Sequence, residues 1–485
     1  MSYSTKISES HLHPLFEAAK RYPQQPAIVS EGRTLIYTEL YSQAQTFARG
    51  LKLAGAPNQS LIALGHLPAA EMIVALWGCS LGGYVAFPLN TRFPHARLVE
   101  MITTLGPALT VSSVESTSAA TFTPIEITSL GHGESIADGE AFDDQAAATL
   151  LMTSGSSGNT KFVQHSVSNH LANAGGSNQN IQLESSDRWL LALPLYHVGG
   201  MAILFRTALS GAAIVIPKTQ DTLLADIENQ QVTHTSLVAT QLQRLLNIPD
   251  SHTTLKQLKA ILLGGSAIPQ SLLKDSLNQG WPVYVSYGSS EMASQIATSS
   301  SHDSEALLSN SGRVLSGSDI IISHEGEILV KGNSLAQGYR EGSELIDFRD
   351  EDGWFHTGDI GYLNVHGALT VTGRMDNQFI SGGENIQPEH IEKLLGNIPG
   401  VLNAIVLALE DNEFGARPVG LLQLDSPHLS SAEINRQLKS SLPGYMIPTA
   451  YFIIPDELIS EQFKISRQLL SEVLNDKNKH LPSLT

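Results

Sequence analysis

The sequence predicts an α/β protein: a large N-terminal domain of helix-covered parallel sheets with a small β subdomain, then a small mobile C-terminal α/β domain. Three observations predict it. From about residue 60 to residue 290, short apolar runs of strand length alternate with segments of helical spacing, the pattern of parallel strands covered by helices. From about residue 311 the texture changes to short strands with glycine turns, as in residues 326–332. Beyond about residue 373 a second, shorter α/β series begins. A chain of 485 residues is too long for one core. The expected division is residues 1–373 and residues 374–485.

Taken in order, residues 11–58 read as a helix, a short hairpin around Gly32, and a helix from about Tyr37. Residues 60–65 read as a strand, and 68–80 as a helix with apolar spacing at Met72, Leu76 and Cys79. A strand at 84–87, a helix at 94–105 and a strand at 107–112 follow. Residues 113–146, Ser/Thr-rich and then acidic, read as irregular connection. The run 147–152 reads as a buried strand, and 166–178 as a helix. Strands are expected at 188–193, 212–216, 233–237, 258–263 and 283–287, with helices at 201–209, 223–229, 241–247 and after Pro269. In the C-terminal series, helices are expected at 388–395, 431–442 and 467–474, and strands at 401–407 and 450–454.

Hydrophobic content of 42% and charged content of 16% fit an ordinary globular enzyme. The net charge of −18 argues against nucleic-acid binding. It also means that a polyanionic ligand needs a local cluster of donors. The single cysteine, Cys79, excludes a disulfide framework and a cysteine zinc site, and points to a reducing compartment. The first ten residues lack the apolar segment of a signal peptide, and no uninterrupted apolar stretch reaches spanning length. A cytoplasmic location without membrane insertion is expected.

Residues 153–161 follow the apolar run: Thr153, Ser154, Gly155, Ser156, Ser157, Gly158, Asn159, Thr160, Lys161. Glycines permit backbone angles that turn successive N–H groups inward, and hydroxyls and Lys161 add donors and charge. This suits phosphates, although a flexible surface loop has the same composition. It is not the P-loop of common nucleotide hydrolases, since no Gly-Lys-Ser/Thr opens a helix. Further glycine-rich turns follow apparent strands at 197–200, 264–267 and 287–291, where open α/β sheets bind ligands. Glu291 is the one carboxylate in its turn. It suits Mg²⁺ beside nucleotide phosphates, or is a solvated helix-start carboxylate. Asp359 lies on a turn where it suits two ribose hydroxyls, or it caps that turn.

These motifs resemble the acyl-adenylate-forming superfamily of acyl-CoA synthetases, adenylation domains and luciferases, over residues 26–474. Motifs at 153–161, 193–200, 264–269, 287–291, 357–359 and 373–392, and Lys464, occur in the family's order. The resemblance implies ATP, Mg²⁺ and CoA as partners. It places the β- and γ-phosphates on Thr153, Ser154, Gly155, Ser156, Ser157, Gly158 and Lys161. It puts adenine among Gly264, Gly265, Ser266, Ala267, Tyr287 and Gly288, the α-phosphate on Ser290, Mg²⁺ on Glu291, and the ribose on Asp359 and Arg374. His197, Gly199, Arg206 and Ser289 fall in the segments for the acyl substrate. Asp376 matches the hinge between domains, and Lys464 the catalytic lysine bridging carboxylate and α-phosphate. The chain departs from the family in having Phe463 where glycine is common, Ile380 where lysine is frequent, and Ser157 and Asn159 in the loop.

Residues 381–389, 463–468, 188–197 and 413–419 further resemble the o-succinylbenzoate–CoA ligases. That resemblance implies o-succinylbenzoate as the small-molecule substrate. Activation would give acyl-adenylate and pyrophosphate, and the CoA thiol would then displace AMP after rotation about Asp376. The substrate's non-reacting carboxylate needs a donor. Arg206 is the one charged residue in residues 201–209 and is expected to fill that role, with His197 shaping the aryl side. Another acyl- or aryl-CoA ligase, an adenylation enzyme loading a carrier protein, and an inactive nucleotide-binding partner stay open, as does a homodimer.

Overall fold

The computed structural model describes residues 12–113, 121–122, 124–131, 142–154, 160–249, 251–265, 268–300, 310–425, 429–455, 458, 467–475 and 481–484. Two sheets form the bulk of the protein. In the first, of eight strands, Leu61–Gly65, Val85–Pro88, Leu109–Ser112 and Ala147–Ser154 run parallel. In the second, of nine, the parallel centre is Pro26–Ser30, Arg188–Leu190, Ala213–Val215, His234–Leu237, Ala260–Leu263 and Val283–Ser289. Strands such as Leu61–Gly65 and Ala260–Leu263 are buried at every position, which is why they read as apolar runs rather than alternations.

The helices Ala69–Leu81 and Val198–Ser210 carry almost continuous apolar surface. They lie in a core that draws Ile62 and Leu64 from the first sheet and Ile214 and Leu262 from the second. There Trp77 packs on Phe205 with ring centres 5.1 Å apart. A helix that is apolar all round must be covered all round, and two sheets do that. Cys79 is buried within this core, and burial raises its thiol far above the ordinary range, so it stays a protonated packing residue.

The expected β subdomain is a four-stranded antiparallel sheet of Ser318–Ile322, Glu327–Gly332, Phe355–Leu363 and Leu369–Arg374. After a 3₁₀ turn at Met375–Asn377, the C-terminal unit pairs Val401–Asp411 with Gly415–Leu424 and adds Tyr451–Ile453. Helices Pro388–Leu395, Ser431–Leu438 and Arg467–Asn475 accompany it, and its apolar clusters draw only on residues beyond 378. The fold class is therefore α/β with a large N-terminal and a smaller C-terminal unit. Among the described residues no helix is long and apolar enough to cross a membrane.

Two local expectations are corrected. The 113–146 connection contains a strand, Thr121–Phe122, and a helix, Pro124–Leu130. Ile127 is fully buried, and its carbonyl lies so close to Gly50 that a Cβ there would sit 1.8 Å from it; the Ser/Thr-rich surroundings hide that single anchor. Thr160–Ser166 is a strand antiparallel to Ala147–Ser154, so the Ser/Gly stretch joins a hairpin. Gly415–Leu424, for which the sequence reading offers no element, is a strand that includes Pro418.

Candidate active site

The hairpin pairs Thr153 with Lys161 and Ser154 with Thr160, so strand pairing fixes both ends of the Ser/Gly stretch. Gly155, Ser156, Ser157 and Gly158 lie outside the described residues. Arg97 donates to the Thr160 hydroxyl at 2.8 Å. Lys161 Nζ stands over the Tyr339 ring, 4.5 Å from its centre. A lysine held on an aromatic face is attracted by the ring and loses part of its freedom.

Tyr339 also donates its hydroxyl to Glu291 Oε1 at 2.8 Å. Lys161, the Tyr339 ring and the acidic turn are thus one contact chain. Nearby, Tyr287 donates to Asp359 Oδ2 at 2.6 Å, and Arg374 Nη1 donates to Asp359 Oδ1 at 2.8 Å. The register that faces Asp359 with Arg374 comes from the antiparallel pairing of their strands. Gly358, with φ of 69°, makes the turn, and a Cβ there would meet Arg374 Nη2 at 2.8 Å. Burial pushes the Asp359 carboxyl up, the Tyr287 hydrogen bond and Arg374 guanidinium pull it back, and the Glu291 carboxylate adds to the rise. A carboxyl held up by a neighbouring carboxylate is relieved by a cation nearby. Among the described residues no group of three or more His, Cys, Asp or Glu could hold a metal. A cation here would need most ligands from phosphate and water, which is how Mg²⁺ binds beside nucleotides.

The turns expected to enclose adenine are built from close backbone approaches. A Cβ on Gly264 would lie 2.7 Å from Ser286 Oγ, and Gly265 has φ of 85°. Gly288 faces the Ser294 carbonyl, which a Cβ would approach to 1.9 Å. Ser289 Oγ accepts from the Met292 N–H at 3.3 Å, and the Ser290 carbonyl accepts from the Ala293 N–H at 3.1 Å. Ser266 and Ala267 lie outside the described residues, as does Lys464.

In the segment expected to face the acyl substrate, His197 occupies the N-cap position of the helix Val198–Ser210, its ring edge-on to Tyr196. Gly200 is required because a Cβ would reach the Pro194 carbonyl at 2.2 Å; a Cβ on Gly199 would meet only a Leu193 methyl, at 3.0 Å. A cavity of about 280 Å³ adjoins this segment, lined among others by Arg92, Leu193 and Tyr196. Arg206 is 1% exposed, so it does not reach solvent along its own stem. Nη2 donates to Gln295 Oε1 at 2.8 Å and Ser294 Oγ at 3.3 Å, and its guanidinium lies 5.3 Å from the centre of the Trp189 ring. Burial lowers its pKa to about 9, which leaves it cationic at neutral pH. Its Nε has no partner among the described residues.

The site's turns rest on groups that sequence reading does not single out. Tyr339 is one; its only signal is an aromatic after Gly338. His165 and His170 are others, both buried, and burial lowers His165 to about 4 and His170 well below the ordinary range. Glu327 is a fourth: it accepts from the Gly358 N–H at 2.9 Å and from His356 Nδ1 at 2.8 Å. The Glu327 hydrogen bond raises the His356 pKa, with Asp350 adding to it. A raised histidine contributes stability below its unfolded pKa of about 6.5 and loses it as pH rises through the folded value. The contribution is below about 1 kcal/mol, because His356 is half-exposed and screened. His356→Gln is therefore expected to flatten the fall in Tm above about pH 6.5, as thermal melts across a pH series would show. An unchanged slope refutes the assignment.

With this geometry in place, the comparisons are specific. The profile described as AMP-binding enzyme matches residues 15–340. The 2-succinylbenzoate–CoA ligase of Bacillus subtilis is 33% identical over 483 residues, covering 96% of this chain and 98% of that protein. The solved structure of the o-succinylbenzoate CoA synthetase from Bacillus subtilis in complex with its acyl-adenylate intermediate shares 31% identity with a TM-score of 0.84, covering 96% and 98% of the two chains. The same enzyme in complex with ATP and magnesium ion gives 31% identity and a TM-score of 0.81, covering 94% and 99%. Matched by the profile over more than half its length and by relatives nearly end to end, the chain belongs to the AMP-binding enzyme family, the acyl-adenylate-forming enzymes.

Proposed function

We propose that this protein is an ATP-dependent o-succinylbenzoate–CoA ligase of menaquinone biosynthesis, acting in the cytoplasm. The observation that carries the reading is near end-to-end similarity to ligases of that specificity. It is supported by a site in which Glu291, Tyr339 and Lys161 form one contact chain and Tyr287, Asp359 and Arg374 another. In the first step a substrate carboxylate oxygen attacks the α-phosphorus of ATP, and the bond to the pyrophosphate oxygen breaks. In the second, the CoA thiol attacks the acyl carbon, the acyl–phosphate bond breaks with AMP as leaving group, and the thiol proton is released.

Catalysis of this kind depends on position and charge rather than on a protein nucleophile. Residues 153–161 hold the β- and γ-phosphates, with Lys161 supplying the described cation. Gly264, Gly265, Ser266, Ala267, Tyr287 and Gly288 enclose adenine, and Asp359 and Arg374 hold the ribose. Ser290 meets the α-phosphate. Mg²⁺, held by Glu291 and phosphate oxygens, supplies charge neutralisation when bound. Lys464 bridges the two reacting anions and leaves for the second step as residues 374–485 turn about Asp376.

His197, Gly199 and Ser289 border the aryl group, and Arg206 receives the non-reacting carboxylate, directly or through water. A charge-assisted hydrogen bond contributes about 1.5–3 kcal/mol. Arg206→Ala is thus expected to lower kcat/KM for o-succinylbenzoate by about ten- to a hundredfold, and much less for an analogue with that carboxylate esterified. Equal losses make Arg206 purely structural, which its bonds to Gln295 and Ser294 would explain.

The decisive assay is pyrophosphate release with o-succinylbenzoate beside benzoate and a medium-chain fatty acid, with AMP release measured with and without CoA. Preference for o-succinylbenzoate and CoA-dependent AMP release are expected. Preference for another acid identifies a different ligase of the family. CoA-independent turnover points to transfer onto a carrier.

A further inference from the structure

The turn that presents Glu291 is not held by its own conformational preferences. Ala293 has φ of 53° and Ser294 φ of 136°, values that side-chain-bearing residues seldom adopt and that persist where surroundings impose them. The surroundings are buried polar groups from elsewhere in the chain. Asn173 Nδ2 donates to the carbonyls of Met292 and Gln295 at 2.9 and 2.7 Å. The Ala336 N–H donates to the Glu291 carbonyl at 2.7 Å. At the Glu291 end the hook is His165, on the strand Thr160–Ser166, with Nε2 2.7 Å from the Ser290 carbonyl oxygen.

His165 is fully buried. A carbonyl only accepts, so Nε2 carries the proton and Nδ1 is a lone-pair acceptor. Nδ1 has no partner among the described residues. The ring is set by packing, with its centre 4.8 Å from that of His170, which stacks on Phe205 and shares a 2.8 Å hydrogen bond with Thr149. An apolar side chain would fill this space without a buried, unpaired nitrogen. What it would lack is the side-chain N–H that, beside the Ala293 N–H, is aimed at the peptide joining Ser290 to Glu291.

We propose that His165 is a positioning residue for the metal ligand: by holding the Ser290 carbonyl it fixes the direction of Glu291, whose carboxylate Tyr339 secures from the other side. The proposal rests on the reading of Glu291 as the Mg²⁺ ligand. It belongs to the general case in which hydrogen-bonded partners behind a ligand set its orientation and its affinity for the ion. His165 lies on the strand that leaves the phosphate loop, four residues from Lys161. The same strand therefore orders both the cationic and the acidic side of the phosphate site.

The test measures Mg²⁺ affinity by calorimetry on protein saturated with a non-hydrolysable ATP analogue, beside the two half-reactions. His165→Phe keeps a ring and removes the donor. It is expected to raise the Mg²⁺ dissociation constant by about tenfold and slow adenylation. Thioester formation from supplied acyl-adenylate and Tm should stay near the parent values. His165→Gln, whose amide N–H can take the place of Nε2–H, is expected to recover most of the lost affinity. If the Phe protein does not fold, His165→Leu, which also lacks a donor, takes its place. Glu291→Gln separates the two levels. If it weakens Mg²⁺ binding while the donor-free His165 variant does not, or if the Phe and Gln variants of His165 behave alike, the positioning role is overturned. If Glu291→Gln leaves Mg²⁺ binding intact, the metal-ligand reading falls and this proposal falls with it.

Discussion

Lys464→Ala is expected to reduce acyl-adenylate formation by roughly two to three orders of magnitude, while thioester formation from supplied acyl-adenylate stays nearly intact. In the first half-reaction two anions, a carboxylate and the α-phosphate, must meet inside a protein of net charge −18. A cation placed between them acts most strongly where charge develops and water is excluded. In the second half-reaction the nucleophile is a thiol, and the lysine must be elsewhere. The residue lies outside the described coordinates, but the segment after it is anchored. Arg467 donates to the Val406 carbonyl at 2.8 Å and pairs with Glu392. Burial raises Glu392 to about 7, against the opposing pull of Arg467. Single-turnover measurement of each half-reaction checks this, and equal loss in both ends the assignment.

Asp359→Ala is expected to lower kcat/KM for ATP by about a hundredfold or more, chiefly through KM, and to leave KM for the acid almost unchanged. Two ribose hydroxyls each donating to a carboxylate contribute about 1.5–3 kcal/mol apiece. A contribution made equally in ground and transition states appears in KM. The change also removes the acceptor of both Tyr287 and Arg374. Arg374 is one-third exposed, so water recovers part of its loss. Asp359→Asn, which keeps the shape and one acceptor oxygen, is expected to lose about tenfold. A fall in kcat alone, with KM for ATP unchanged, refutes a ribose-holding role and leaves Asp359 as a brace for Tyr287.

The amino-acid order was sufficient for the alternating architecture. Strands such as Leu61–Gly65 are marked by short apolar runs and helices such as Ala69–Leu81 by longer ones. It was sufficient too for the family, because the motifs stand in sequence where the family has them. It marked Glu291 and Asp359, since each is the one acid on a glycine-bearing turn. It did not disclose the partners of these groups. Tyr339 reaches Glu291 across 48 positions, Tyr287 reaches Asp359 across 72, and His165 reaches Ser290 across 125. Such contacts arise when separate strands and helices pack side by side, and no local period encodes which elements will be neighbours. The tertiary structure also decided what Arg206 is. In sequence it is a lone charge on an apolar helix, free to reach water along its stem. Packed between Trp189 and the side chains of Ser294 and Gln295, it becomes a buried cation surrounded by neutral polar groups.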